Sequence, residues 1–108
     1  MKRFLIISAI LLTAVSAQGQ TTVVTGCIVD SLTRAGEPAA ILQFFKAEDP
    51  SKPIAYTTTD DSGHFRQVLS AKDAYIMLFS NMGRKQRNIV FTLKGQDTLD
   101  LGTILVED

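Results

Sequence analysis

The residues with the clearest capacity for chemistry lie together in one short segment, T-T-T-D-D-S-G-H-F, at positions 57–65. Within it, Asp60, Asp61, Ser62 and His64 combine two carboxylates, a hydroxyl and the chain's only histidine. Such residues serve as calcium ligands, as parts of a hydrolase triad, or as formers of a tight turn. Their spacing and the flanking segments distinguish these three roles.

The spacing argues against the calcium loop of helix–loop–helix proteins. That loop needs oxygen ligands at alternating positions and a bidentate Glu at its twelfth position. Counted from Asp60, the third residue is Ser62, but the fifth is His64 and the twelfth is Ala71. We therefore predict no metal site. Weak calcium binding by Asp60 and Asp61 stays open as an alternative.

The same segment has the residue types of a Ser-His-Asp triad, but a triad is assembled from separated segments that set its members in line. The chain contains neither a G-x-S-x-G nucleophile elbow nor an H-E-x-x-H zinc motif. One His and one Cys also make a poor metal-ligand set. We predict no catalytic, cofactor-binding or metal-binding residue, and hence that the chain is not an enzyme.

A turn accounts for every residue of the segment. Aspartate side chains accept hydrogen bonds from nearby backbone N–H groups, and Gly63 can adopt a positive φ without a Cβ clash. Phe65 then returns to the core on the next strand. We predict Asp60, Gly63 and Phe65 to be a structural turn motif, the hairpin between two antiparallel strands.

The flanking chain is typical of an all-β domain. No segment after the first 20 residues has a helical period, and short runs rich in β-branched and aromatic residues recur between Gly and Pro. Seven strands are predicted: Val23 to Asp30, Ala39 to Ala47, Ile54 to Thr59, His64 to Leu69, Ala74 to Asn81, Lys85 to Leu93 and Leu99 to Val106.

Alternation along these strands predicts the core, because successive side chains point to opposite faces of a sheet. The predicted core residues are Ala40, Leu42, Phe44, Ile54, Tyr56, Phe65, Tyr75, Met77, Phe79, Ile89, Phe91, Leu93, Leu99, Leu101 and either Ile104 or Leu105. Seven short strands bury one face each only by packing as two sheets. The predicted fold is a β-sandwich.

The N-terminus has the layout of a cleavable signal peptide, assigned to residues 1–20, which leaves one domain at 21–108. Lys2 and Arg3 precede an apolar run from Phe4 to Val15, and Val15-Ser16-Ala17 supplies small residues for cleavage. The run of about 12 residues falls short of the ~20 that span a bilayer. We therefore expect an exported protein.

Charge and cysteine content limit the function further. Without Lys2 and Arg3, nine basic residues face 11 acidic ones, a net charge near −2 that gives no support to nucleic-acid binding. The basic cluster Gly83 to Arg87 lacks interleaved aromatics and is interpreted as a solvated strand start.

Cys27 is alone, so no internal disulfide forms. It is predicted to be a strand residue, with lipidation as the alternative.

Three motifs in order resemble the carboxypeptidase regulatory-like domains. V-T-G-C-I-V-D-S at 24–31 followed by G-E-P-A-A at 36–40 resembles their first strand and turn, and T-D-D-S-G-H-F at 59–65 is similar to their T-D-x-x-G-x-F segment. Ser80 to Lys85 is similar to their S-x-x-G-[YR]-K signature. The resemblance covers Val23 to Val106 and implies a seven-stranded transthyretin-like sandwich with no catalytic residue to carry over.

Together with the leader, the chain looks most like the versions at the N-terminus of outer-membrane β-barrel receptors of Bacteroidetes-type bacteria, including TonB-dependent transporters. The resemblance implies a periplasmic or outer-membrane location, protein partners in the envelope or receptor, and no cofactor. Because the chain ends at Asp108, we expect either a fragment that is membrane-associated through a C-terminal barrel, or a stand-alone module. The alternative function is a secreted or lipid-anchored binding module, for example for carbohydrate.

Overall fold

The computed structural model describes residues 20–108. The predicted signal peptide, apart from Gln20, lies outside this range. Seven strands are present: β1 (Thr21–Asp30), β2 (Ile41–Lys46), β3 (Ala55–Thr58), β4 (His64–Ser70), β5 (Ala74–Ser80), β6 (Arg87–Thr92) and β7 (Thr98–Val106). Within residues 20–108, no helix is long and apolar enough to cross a membrane. The predicted all-β, seven-stranded fold is confirmed.

The strands form two sheets that pack as a sandwich. One sheet has three strands in the order β4-β1-β7, in which β1 pairs antiparallel with β4 and parallel with β7. The other has four antiparallel strands in the order β3-β2-β5-β6. The inner faces of both sheets bury the apolar residues that alternation brings to one side.

This order corrects the predicted hairpin at residues 60–63. The strands before and after this turn, β3 and β4, are not paired, because they belong to different sheets. Each has another partner: β3 pairs with β2, and β4 pairs with β1 so that Phe65 lies opposite Gly26. The turn therefore connects the two layers of the sandwich, which sequence periodicity alone does not distinguish from a hairpin.

The core is built around aromatic rings of the four-stranded sheet. Tyr75 stacks on Phe91 with ring centroids 5.7 Å apart, and Phe44 meets Phe91 edge to face at 6.5 Å. The Tyr75 hydroxyl donates to the Ser70 carbonyl at 2.8 Å, so this buried polar group is satisfied. Burial, together with the nearby Asp73, raises the pKa of Tyr75.

Two predicted core residues, Ile54 and Tyr56, are exposed instead. The register places Ala55 opposite the buried Phe44, so Ala55 points inward and Tyr56 points outward. The inward positions continue to Thr59, which is buried because its hydroxyl accepts from the Ala40 N–H at 2.9 Å and donates to the Glu37 carbonyl at 2.5 Å. The inward-facing positions of this segment therefore include the hydrogen-bonded Thr59, and not the larger apolar residues Ile54 and Tyr56 that the sequence suggested.

The choice between Ile104 and Leu105 is resolved by an irregularity in β7. Thr25 pairs with Asp100 and Cys27 with Thr103, so two residues of β7, at positions 101 and 102, lie opposite one residue of β1 at position 26. The extra residue shifts the alternation, so that Leu99 and Leu101 pack against the core before it and Ile104 is buried after it. Leu105 is only half-buried.

Candidate functional site

The segment that first suggested chemistry, which we call the acidic turn (Asp60–His64), uses its aspartate to hold the backbone. Asp60 Oδ1 accepts from the N–H groups of Ser62 and His64, both at 2.9 Å. The Asp60 carbonyl accepts from the Gly63 N–H at 3.0 Å, and the Asp60 N–H donates to the His64 carbonyl at 2.9 Å. The bonds from His64 and Ser62 lower the pKa of Asp60.

The acidic turn is fastened to β1 at Gly63. Its φ is 85°, a conformation that side-chain-bearing residues rarely adopt, and its carbonyl accepts from the Ile28 N–H at 2.8 Å. A Cβ on Gly63 would collide with the Ile28 carbonyl oxygen, and a Cβ on Gly36 would collide with the Ser62 carbonyl. Two glycines therefore allow the turn, β1 and the segment before β2 to approach closely.

Phe65, the third residue of the predicted motif, is buried directly after the turn. Its ring covers Gly26 across the β1–β4 pair, where a Cβ would lie 2.7 Å from two ring carbons. All three predicted turn residues therefore make structural contacts: Asp60 with the backbone of the turn, Gly63 with β1, and Phe65 with Gly26.

The structure also brings together the single Cys and the single His, which the sequence does not. Cys27 on β1 lies directly opposite His64 on β4, on the outer face of the three-stranded sheet. The thiol, however, donates to the Ser62 carbonyl at 3.5 Å, and His64 Nδ1 lies 3.9 Å from Asp60 Oδ1, beyond hydrogen-bond distance. Cys27, His64 and Asp60 therefore do not form a hydrogen-bonded relay.

A second charged group, which we call the ionic cluster (Asp30, Glu37, Asn81, Arg84 and Asp108), lies beside the acidic turn. Arg84 donates from Nε and Nη2 to the two oxygens of Glu37, at 2.9 and 3.0 Å. Its Nη1 donates to Asp30 at 2.8 Å and to Asp108 at 2.7 Å. Asn81 Nδ2 adds a bond to Glu37 at 2.8 Å.

Three charged members of the ionic cluster are largely withdrawn from water, whereas the fourth, Asp108, is exposed. The side chains of Glu37, Asp30 and Arg84 are 9%, 11% and 19% exposed. The Arg84 bond lowers the pKa of Glu37, and the Thr33 N–H, followed by Arg84, lowers the pKa of Asp30. The hydrogen bonds to Glu37 are the main cause that raises the pKa of Arg84 above its ordinary value. Each group is therefore held in its charged form by its partners.

Sequence reasoning missed the ionic cluster and interpreted Arg84 as part of a solvated basic segment. The interpretation suits its neighbour Lys85, whose pairing with Glu107 at 3.4 Å is exposed, but it is wrong for Arg84. Arg84 lies 47 and 54 residues from its carboxylate partners, so no local pattern pairs them. Only the topology, which brings the ends of β1 and β5 together, reveals the contact.

Polar side chains border several open clefts among residues 20–108, one of them over the acidic turn at Asp60, His64 and Arg66. A second, of about 420 Å³, lies over the outer face of the three-stranded sheet and is bordered by Cys27, His64, Asp100 and Thr103. Another, of about 430 Å³, lies between Arg87 and Leu105, where Arg87 Nη1 donates to the Leu105 carbonyl. Among residues 20–108, no group of three or more His, Cys, Asp or Glu is placed to hold a metal ion.

No protein-family model and no curated protein matches the sequence. Solved structures match the fold. The chain is similar to the Klebsiella pneumoniae 5-hydroxyisourate hydrolase, with 13% identity and a TM-score of 0.57 over 81% of this chain and 87% of that one. It is also similar to the shaft pilin SpaA of Lactobacillus rhamnosus GG (a double mutant), with 14% identity and a TM-score of 0.60 over 81% of this chain and 46% of that one.

The Bacillus anthracis TIE protein matches with 15% identity and a TM-score of 0.63, over 82% of this chain and 17% of that one. The chain thus spans less than half of the pilin and under a fifth of the TIE protein. At these identities the likeness shows the fold, and it confirms the predicted transthyretin-like sandwich. Because a hydrolase and a shaft pilin share it, the fold does not decide whether the chain is an enzyme.

Proposed function

We propose that the chain is a non-enzymatic, exported β-sandwich domain with a structural or protein-interaction role. The observation that carries this proposal is how the polar side chains are used. Asp60 is bonded to two backbone N–H groups, while Asp30 and Glu37 are bonded to Arg84. A general base or nucleophile needs an available lone pair directed at a substrate, and the bonded oxygens of these groups direct theirs at the protein itself.

The finer proposal is that the domain is the periplasmic N-terminal extension of an outer-membrane receptor. The support is the leader pattern before Gln20 and the three ordered motifs that resemble carboxypeptidase regulatory-like domains. Their similarity falls on the elements that hold the sandwich together: the end of β1, the acidic turn and the loop that carries Arg84.

Two measurements test the location and the receptor context. Cell fractionation with an antibody against residues 21–108 should find the protein in the envelope, and a wholly cytoplasmic protein would refute export. Reading the genomic sequence after the codon for Asp108 should show an open frame that encodes a plug and a transmembrane receptor domain. A stop codon there would refute the receptor context but not the structural role.

The absence of catalysis has its own test, chosen because a hydrolase shares the fold. The purified chain should not accelerate the hydrolysis of 5-hydroxyisourate above the buffer rate, and His64→Ala should behave identically. Hydrolysis that the wild-type chain accelerates and a folded His64→Ala variant does not would overturn the proposal.

A specific observation favours a second candidate, the carbohydrate-binding module. Tyr56 is 75% exposed on a sheet face, with the amide of Gln43 directly opposite it. An exposed aromatic ring with a neighbouring amide is a suitable surface for a sugar. Binding on a glycan array that Tyr56→Ala abolishes, and that Tyr75→Phe in the core leaves intact, would support this candidate.

A further inference from the structure

The outer face of the four-stranded sheet is apolar although nothing in residues 20–108 covers it. Six side chains form what we call the outer apolar face: Ile41, Phe45, Tyr56, Ile76, Leu78 and Val90. They alternate with the buried core positions of their strands. Tyr56 and Val90 are 75% and 69% exposed.

Cross-strand pairing makes these side chains contiguous. Phe45 pairs with Ile76, and Ile76 pairs with Val90, which gives one row across β2, β5 and β6. The next row contains Tyr56, Gln43, Leu78 and Asn88. Neighbouring rows lie within side-chain contact of one another, so the face is a patch and not scattered exposed residues.

The strand sequences show that this face is suited to burial. From Ala74 to Phe79, β5 carries six consecutive apolar residues, a pattern typical of strands covered on both faces. The inner half of this set, Tyr75, Met77 and Phe79, is fully buried in the core. The outer half, Ala74, Ile76 and Leu78, is only half-buried.

We propose that a second copy of this chain covers the outer apolar face, in a two-fold symmetric dimer with the two four-stranded sheets stacked face to face. This deepens the interaction role proposed above and rests on it. Across a two-fold axis, a residue near the axis meets the same residue of the second copy. A charged residue there would therefore face a like charge. A fifth of the chain's residues are charged, yet none of the positions paired in these rows carries a charge.

The polar residues of the face fit the same occupant. Gln43 and Asn88 carry amides, each of which both donates and accepts hydrogen bonds, so each can pair with the same group of a second copy. Four strands about 4.8 Å apart and six residues of about 3.3 Å give a face of roughly 400 Å². Protruding side chains enlarge the flat area, so two such faces together bury roughly 1,000 Å². This is the size of interface expected for a weak, reversible dimer.

The outer face of the three-stranded sheet provides the matched control. It also exposes a valine, Val68, which is 41% exposed, but its neighbours include Arg66 and His64. Val68→Lys and Val90→Lys therefore introduce the same charge on an exposed strand position of each sheet. Only Val90→Lys places it on the outer apolar face.

Sedimentation velocity of the purified, exported chain between about 1 μM and 1 mM tests the proposal, with circular dichroism to verify that each variant is folded. We expect a concentration-dependent dimer, with a dissociation constant of roughly 10 μM to 1 mM. Val90→Lys and Tyr56→Lys should each weaken it at least tenfold, and Val68→Lys should leave it unchanged.

A wild-type chain that stays monomeric up to 1 mM would overturn the proposal. So would a dimer that Val68→Lys disrupts and Val90→Lys does not. Neither result touches the proposed function, because export is judged by fractionation and the absence of catalysis by the hydrolysis assay. An envelope protein that stays monomeric would refute this inference alone.

Discussion

The acidic turn and the ionic cluster lie beside each other, but the first is built from adjacent residues and the second from residues far apart in the sequence. The acidic turn gathers its charged residues within five positions, yet its His64 and Asp60 side chains are 66% and 64% exposed and are arranged around their own backbone. The ionic cluster collects residues from across the chain, and its Glu37 and Asp30 side chains are 9% and 11% exposed.

The difference shows that closeness in sequence and closeness in space carry different information. Local clusters of Asp, Ser and Gly make local hydrogen bonds, which shape turns. Charges withdrawn from water must instead find partners wherever the topology provides them, because an unpaired charge there is costly. We therefore expect the ionic cluster to depend on its charges, and the acidic turn to depend on its backbone.

The largest effect is expected at the backbone of the acidic turn. Gly63→Ala combines strain at a φ of 85° with a collision against the Ile28 carbonyl, and should destabilise the fold by about 3 kcal/mol or more. Gly83→Ala is the control, because Gly83 has a φ of 77° but nothing within 4 Å of an added Cβ. It should cost about 1 kcal/mol.

Urea unfolding of the two variants measures the difference. Gly36→Ala adds a third case, in which the collision with Ser62 occurs without a positive φ. Equal losses for Gly63→Ala and Gly83→Ala would show that the turn relaxes away from β1, and would contradict the close approach of Gly63 to the Ile28 carbonyl.

The next effect concerns the charge at the centre of the ionic cluster. Arg84→Met keeps much of the side-chain length but leaves Asp30 and Glu37 without their cation, and should lower the melting temperature by about 10 °C or more. Lys85→Met is the matched control, since the Lys85 and Glu107 side chains are 68% and 64% exposed. It should shift the melting temperature by only a few degrees, as exposed pairs contribute little. Similar shifts for the two variants would contradict the buried character of the cluster.

A smaller effect is expected on acidification. The pKa values of Glu37, Asp30 and Asp60 are lowered by folding, so these groups stabilise the fold above their unfolded values of about 4. That stabilisation is lost as the pH falls through the lower folded pKa values. The melting temperature should be nearly constant from about pH 7 to 5 and decline below about pH 4.

The Arg84→Met variant tests whether this pH dependence comes from the ionic cluster or from the acidic turn. Arg84 is the main cause of the lowered pKa of Glu37 but comes after Thr33 as a cause for Asp30, so Arg84→Met should flatten the acid decline mainly through Glu37, whereas Asp60→Asn should remove only the contribution of the acidic turn. A decline that Asp60→Asn abolishes and Arg84→Met leaves unchanged would assign the pH dependence to the acidic turn.

The sequence was informative where local chemistry decides the structure and misleading where pairing decides it. Strand positions and most of the core followed from alternation, since residues such as Leu42, Phe44 and Met77 face one side by geometry alone. The phase of β3 depended on the buried hydroxyl of Thr59, and the phase of β7 depended on an extra residue opposite Thr25 to Cys27. Neither signal has a period.

The polar sites divide in the same way. The bonds made by Asp60 reach at most four residues along the chain, so residue types were sufficient to predict a turn. The assignment of β3 and β4 to different sheets needed the strand order, and the Arg84 contacts needed the ends of β1 and β5 in space. Long-range pairing of this kind leaves no trace in a single sequence.

The smallest effect is expected at His64, the residue that most suggested chemistry. Its ring is largely exposed and lies 3.9 Å from Asp60 Oδ1, while its backbone N–H makes the bond that the turn requires. His64→Ala keeps that N–H and should change the free energy of unfolding by no more than about 0.5 kcal/mol. His64→Pro removes the N–H from the same position and should destabilise the fold clearly. Urea unfolding of both variants separates the two roles, and a loss from His64→Ala as large as that from His64→Pro would show that the imidazole, and not the backbone, holds the turn.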